Sequence, residues 1–215
     1  MKRPVWQLWN PSPRGKTSTG DPEISKTEFI ALDTETTGLD PDVDRILSVG
    51  ALRLVDGRIR VRDSLEIFIA QEHFDHRSTP IHGILRQGPH PRIPEKQALE
   101  RLVAYVGDAI IVGHHINFDL LIIRRALWRH TLPELNNPVL DTGVLYGKTL
   151  LKSPVLQKKE AYSLDELARK FDLSCRDRHT ALGDAYITAM AFLKILSRLE
   201  EKKELTLKKL LRMGR

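Results

Sequence analysis

Between residues 28 and 197 the apolar positions follow two rhythms. Residues 28–33 form a short apolar run that reads as a first strand. Ile46–Val55 alternates in part and reads as a second, Gly57 marks a turn, and Ile59–Ile69 reads as a third, giving an antiparallel meander. Residues 70–93 carry no clear period but hold His73, His76, His82 and His90. Pro94 then opens a helix with Ala98, Leu102, Val103 and Val106 at helical spacing. Ile110–Gly113 is a fourth strand, and a helix follows from about Asn117 to His130. Val139 and Leu140 make a fifth strand. Asp141 or Thr142 caps the next helix, and Ser163 with Glu166 forms a capping box for another. A last core helix runs from Ala181 to Ser197 with a stripe of Ala181, Ala185, Thr188, Ala189, Phe192 and Leu196. Strands followed by alternating helix and strand predict an α/β fold, a mixed five-stranded sheet flanked by helices.

The ends differ from the middle. Residues 1–27 contain Pro4, Pro11, Pro13, Gly15, Gly20 and Pro22 and read as an irregular extension, in which Trp6 and Trp9 are unusual. They hold five basic and two acidic residues, and residues 198–215 hold seven and three. The net charge is +6, so residues 28–197 sum to −1 (6 − 3 − 4). The expected organisation is a basic N-terminal extension (1–27), one α/β domain (28–197) and a basic helical tail (198–215). Basic ends either solubilise the chain or hold a polyanion, and each end is also a candidate site for a protein partner. The single cysteine, Cys175, allows no internal disulfide and fits a reducing compartment. No apolar run approaches a membrane span, and a cytoplasmic location is the default expectation.

Candidate chemistry gathers in the near-neutral middle. In Phe29-Ile-Ala-Leu-Asp-Thr-Glu-Thr-Thr-Gly38, Asp33 and Glu35 are two residues apart, so on a strand they share one face. Two adjacent carboxylates repel unless a cation lies between them, and a hard divalent metal relieves that repulsion; the alternative is two solvated acids. Asp119 falls in the first turn of a helix that follows a strand end, the crevice position of an open α/β sheet; such an Asp also serves as a plain cap. Asp184 lies on a helix face of small apolar residues, which calls for either a metal or a salt bridge to an arginine that the sequence does not identify. His179, five residues earlier, belongs on the preceding loop with Thr180 as N-cap. There it can exchange protons near neutral pH, or simply face solvent.

Asp33-x-Glu35 with Thr36-Thr37-Gly38, then Asn117-Phe118-Asp119, then His179 and Asp184 resemble, in order and spacing, the DEDDh exonucleases, over about residues 28–195. This ribonuclease H-like family includes the proofreading epsilon subunit of bacterial DNA polymerase III and ribonuclease T. The resemblance implies a ribonuclease H-like fold and a 3′-to-5′ exonuclease acting on the 3′ end of a single strand, DNA before RNA. It implies two divalent ions, Mg²⁺ or Mn²⁺, held by Asp33, Glu35, Asp119 and Asp184, with His179 as general base. Backbone groups at Thr36, Thr37 and Gly38 would approach the terminal nucleotide and Leu39 would wedge near its base. His82, in a His-Gly-Ile stretch like the family's, His114 and Phe118 would flank the same pocket. Where many relatives have His-Asn, this chain has His114-His115. The alternatives are an RNA-trimming enzyme of the ribonuclease T or oligoribonuclease kind, or an inactive nucleic-acid-binding or partner module.

Overall fold

A computed structural model describes residues 24–72, 83–84, 89–150, 162–202 and 205–214. Trp6, Trp9 and His82 lie outside the described residues.

The middle of the sheet is β1 (Phe29–Thr36), which pairs antiparallel with β2 (Ile46–Val55) on one side and parallel with β6 (Ile110–Gly113) on the other. A strand flanked on both edges and covered on both faces needs apolar residues at successive positions, and Phe29, Ile30, Ala31 and Leu32 supply them. The full order is β5 (Arg92–Pro94), β4 (Leu65–Ala70), β2, β1, β6, β7 (Val139–Asp141), with β3 (Arg58–Ile59) hydrogen-bonded to β2.

The mixed sheet is as expected, but among the described residues it has seven strands, not five. The expected third strand, 59–69, is broken. Asp56 and Gly57 both take positive φ, 53° and 66°, as a tight hairpin turn requires, and β3 keeps only two pairs with β2. The register then moves from Ile59↔Leu54 to Leu65↔Ala51. Six steps on one strand thus oppose three on the other, and the surplus forms a 3-10 turn at Val61–Asp63. The Tyr105 hydroxyl donates to Asp63 O at 2.6 Å and holds that turn. β5 is a three-residue parallel edge strand in the stretch that showed no period.

Alternation along β1 divides the core. Ile30 and Leu32 face α1 (Glu95–Val106) and α2 (Asn117–Arg129), among Leu99, Leu102, Ile122 and Leu127. Phe29 and Ala31 face α5 (Ala181–Lys202), where Phe29 meets Phe192 edge to face at 5.0 Å. α5 lies close because its sheet-facing residues are small. Ala181, Ala185 and Ala189 are buried, and a Cβ at Gly50 of β2 would collide with the Ala181–Leu182 backbone.

The remaining helices complete this second face. α3 (Thr142–Thr149) is capped by Asp141, which accepts from Gly143 N at 2.8 Å and Val144 N at 3.1 Å. α4 (Leu164–Phe171) begins with the expected Ser163–Glu166 capping box. α5 continues to Lys202, past the anticipated tail boundary at 198. α6 (Leu207–Met213) buries Leu207 and Leu210 in the same core cluster as Leu140 and Leu145, and Asp141 N donates to Gly214 O at 2.9 Å. Residues 207–214 are therefore packed structure whose Lys208, Lys209 and Arg212 stay at the surface. No described helix is long and apolar enough to cross a membrane.

Candidate active site

The row begun by Phe29 and Ala31 continues as Asp33 and Glu35, so strand alternation alone sends both carboxylates to the α5 side. Pairing with β6 ends at Ala31↔Val112. Beyond that point Asp119, from the first turn of α2, takes over the exposed edge of β1. It accepts from Thr34 N at 2.9 Å and from Thr34 Oγ1 at 2.6 Å. Asp184 arrives from the first turn of α5 and is buried. Asp33, Glu35 and Asp184 each offer an oxygen, and these oxygens lie within 4.8 Å of one another.

So many carboxylates make the site electrostatically unstable as bare anions. Burial pushes Asp33 well above the usual carboxylate range, and Asp119, Asp184 and Glu35 push it further. Glu35 rises to about 7 for the same reasons: burial first, then Asp184 and Asp119. Asp119 rises to about 6 by burial, against the pull of its two bonds from Thr34. An all-oxygen set of close anions that resist ionising matches a hard divalent cation, so the residues present fit a metal.

Arg178 is the arginine that the sequence left unidentified. Its Nη1 donates to Asp184 Oδ2, and its Nε donates to Asp165 Oδ1 at 2.6 Å. Burial lowers its pKa, but these two ion pairs outweigh that and raise it. The sequence signal was adjacency: Arg178 directly precedes the loop histidine. Asp165 gave no signal, because in the chain it is merely an acid in the first turn of α4.

His179 stands on the loop before α5, exposed, with φ 64°. Its backbone N–H donates to Asp184 Oδ1 at 3.3 Å, and Thr180 caps the helix through Gly183 N at 3.1 Å. Loop and carboxylate are thereby held together although five residues separate them.

The expected nucleotide contacts are placed unevenly. Thr36 Oγ1 donates to Gly38 O at 2.7 Å. Thr37 Oγ1 donates to buried Asp44 at 2.7 Å and accepts from Arg45 N at 3.0 Å. Both hydroxyls thus shape the 36–45 loop. Asp44 was missed in the sequence, and its carboxylate fills the space where a Cβ on Gly38 would fall. Leu39 is 84% exposed at the loop tip. Phe118 packs partly into the α1/α2 side of the core. His114 Nδ1 lies 2.9 Å from Thr142 Oγ1, and burial with neighbouring His115 pushes the ring down to about 4, so it is neutral at neutral pH. Beside the start of α5 a cleft of about 200 Å³ is lined by Ser48, Glu66, Phe68, Gly83, Ile84 and Thr180, among others. Ser48 pairs with Glu35 across the sheet, so this cleft opens on the face that carries the carboxylates.

A mixed sheet with this acidic edge defines a nuclease-like architecture, and the comparison with known families agrees. The RNase T exonuclease family model matches residues 30–192, and the chain belongs to this family. It is 33% identical over 183 residues to the PolC-type DNA polymerase III of Thermotoga petrophila, covering 84% of this chain and 13% of that one. It is 30% identical over 171 residues to the DNA polymerase III subunit epsilon of Aquifex aeolicus, covering 80% and 81%. It therefore spans about an eighth of the PolC-type relative and most of the epsilon relative. Among solved structures it resembles E. coli exonuclease I in complex with a dT13 oligonucleotide, with a TM-score of 0.69, 17% identity, and coverage of 82% of this chain and 42% of that one. It also resembles exonuclease X in complex with 5′ overhanging duplex DNA, with a TM-score of 0.60, 22% identity, and coverage of 86% and 98%. The fold is ribonuclease H-like, as the motifs implied.

Proposed function

We propose that this chain is a divalent-metal-dependent 3′-to-5′ exonuclease that removes nucleotides from single-stranded DNA. The observation that carries the reading is the group Asp33, Glu35 and Asp184, whose ligand oxygens converge within 4.8 Å in an exonuclease-family fold. Asp33, Glu35 and Asp184 would hold one Mg²⁺ or Mn²⁺, and Asp33 with Asp119 a second. Two such ions would supply Lewis acidity at the attacking and leaving oxygens of the phosphodiester.

The chain's own groups do the rest. Water attacks phosphorus as the P–O3′ bond breaks, and a neutral His179 imidazole accepts the water's proton. The tie from the His179 N–H to Asp184 keeps that imidazole's loop beside the carboxylates. The departing 3′ oxygen takes a proton from solvent. Gly83 and Ile84, which follow His82 in the chain, line the cleft beside α5, and this supports that cleft as the seat of the terminal nucleotide. The exposed Lys208, Lys209 and Arg212 on α6 would contact backbone phosphate away from the centre.

DNA is preferred because the relatives at 30–33% identity are named as DNA polymerase III components. The test is a pair of 5′-labelled strands, DNA and RNA of equal sequence, incubated with Mg²⁺ or Mn²⁺. Faster shortening of DNA is expected. Faster shortening of RNA would move the enzyme to the RNA-trimming class, and no shortening of either would leave an inactive binding module.

A further inference from the structure

Asp184 has both oxygens engaged. Oδ1 accepts from the His179 backbone N–H at 3.3 Å, and Oδ2 accepts from Arg178. The same guanidinium spans to Asp165 on α4, outside the cluster. Arg178 is mostly buried, with its side chain 15% exposed, so little solvent screens it from the acids it faces. Its charge also favours the ionised forms of Asp33 and Glu35, which it does not bond. Three carboxylates, Asp33, Glu35 and Asp184, thus feel one guanidinium, and that guanidinium is shared with a further acid, Asp165.

The geometry points to Arg178 as a built-in counter-cation of the carboxylate cluster, which steadies the metal-free fold and opposes divalent-metal binding at Asp184. This inference rests on the metal-site reading above. A dication drawn in by Asp33, Glu35 and Asp184 must share Asp184 with a monovalent cation already bonded to it. Like charges on one carboxylate repel, and in a partly buried setting the repulsion is not fully screened. Metal entry therefore weakens or displaces the Arg178–Asp184 bond, and the tie to Asp165 gives the guanidinium a place to stay. Arg178 is in this account a positioning residue that sets how much metal the site demands. A purely structural brace between α4 and α5 would behave differently, because cutting it would lower stability and metal affinity together.

The test compares the full-length wild type with Arg178→Gln, using Mn²⁺ as the probe. Free Mn²⁺ is followed by electron paramagnetic resonance, and unfolding is followed by thermal denaturation with and without the ion. The expected result is a split in sign. The variant melts at a lower temperature without metal, binds Mn²⁺ about tenfold more tightly, and gains more from Mn²⁺ in melting temperature than the wild type does. Equal or weaker Mn²⁺ binding by a folded variant overturns the inference and leaves the metal reading intact. So does a variant that stays unfolded at saturating Mn²⁺. Absence of Mn²⁺ binding by the wild type itself overturns both.

Discussion

Two groups of largely buried acids flank this sheet, one at the start of α1 and one at the end of β1, and they are built in opposite ways. At the start of α1, the Glu95 side chain is 10% exposed, yet it is matched on every side. Gln71 Nε2 donates to it at 2.9 Å, Arg129 Nη2 at 3.0 Å, and His130 Nε2 lies at 2.7 Å. Burial pushes its pKa up, but Gln71, His130 and Arg129 together bring it below its ordinary value. At the end of β1, burial first raises Asp33, Glu35 and Asp119 and neighbouring carboxylates raise them further, while Arg178 offsets only part of the rise at Asp33 and Glu35. A buried acid with its partners in place is a structural tie. A cluster that outnumbers its cations stores a demand for positive charge, which marks it as the place where a ligand completes the structure.

The largest expected effect breaks the comparison outright. Asp33→Ala should lower strand cleavage by about 10³-fold or more, since it removes a ligand from the cluster. It should leave the metal-free melting temperature unchanged or raised, because one source of repulsion is gone. Glu95→Ala should do the reverse: activity per folded molecule within about twofold of wild type, and a loss of about 2–4 kcal/mol in urea unfolding as Arg129 and His130 lose their partner. Equal destabilisation by both substitutions would erase the distinction.

His179→Asn follows in size. A rate loss of about 10²–10⁴-fold is expected, the usual range for a general base, with Mn²⁺ binding little changed. Asparagine accepts the positive φ of this position, so a loss cannot be assigned to backbone strain. A variant with near-normal turnover would remove His179 from the chemistry.

The two regions also predict opposite pH windows. Asp33, Glu35 and Asp119 hold protons more tightly folded than unfolded, with Glu35 near 7 and Asp119 near 6. Their contribution is complete below the unfolded value of about 4 and is lost as pH rises through the folded values. The metal-free melting temperature should therefore fall between about pH 5 and about pH 8. Asp33→Asn should flatten that fall, and Mn²⁺ should stabilise more at the upper end. Glu95 is depressed, so its contribution is present above its ordinary value of 4.5 and is lost as pH drops below it. Wild type and Asp33→Asn should weaken together on that acid side. A wild-type melting temperature that rises from pH 5 to pH 8 without metal would contradict the sign.

The smallest effect tests a single support. Thr34→Val removes the hydroxyl that donates to Asp119 at 2.6 Å but keeps the backbone bond. A loss of about 1 kcal/mol in the orientation of Asp119 corresponds to about three- to tenfold in rate.

What was legible in the chain follows from the range of each interaction. Asp33 and Glu35 were placed by the two-residue period of β1, and Asp184 by the small stripe of α5, because both signals are local. Thr180 as N-cap and His179 on the loop were equally local, and the structure shows both. The break in the third strand was not readable: the surplus residues form a 3-10 turn at Val61–Asp63, and its bond from the Tyr105 hydroxyl comes from a helix far along the chain. For Asp184 an arginine was anticipated only as the alternative to a metal and was not identified as Arg178, since nothing local says that a guanidinium turns inward and not to solvent. The burial of Leu207 and Leu210 was hidden behind the basic residues that surround them in sequence. It also means that removing residues 198–215 would cut into the core along with the surface charge.

The central claim is that the under-compensated cluster is a metal-dependent centre working from the 3′ end. The direct measurement is a time course with 5′-labelled single-stranded DNA, run with Mn²⁺, with a chelator, and with Asp33→Ala in Mn²⁺. The account predicts a ladder of progressively shorter labelled strands with Mn²⁺ alone, and intact strand in the other two. A labelled mononucleotide as the first product would contradict the direction, and equal shortening with chelator or by Asp33→Ala would contradict the metal centre.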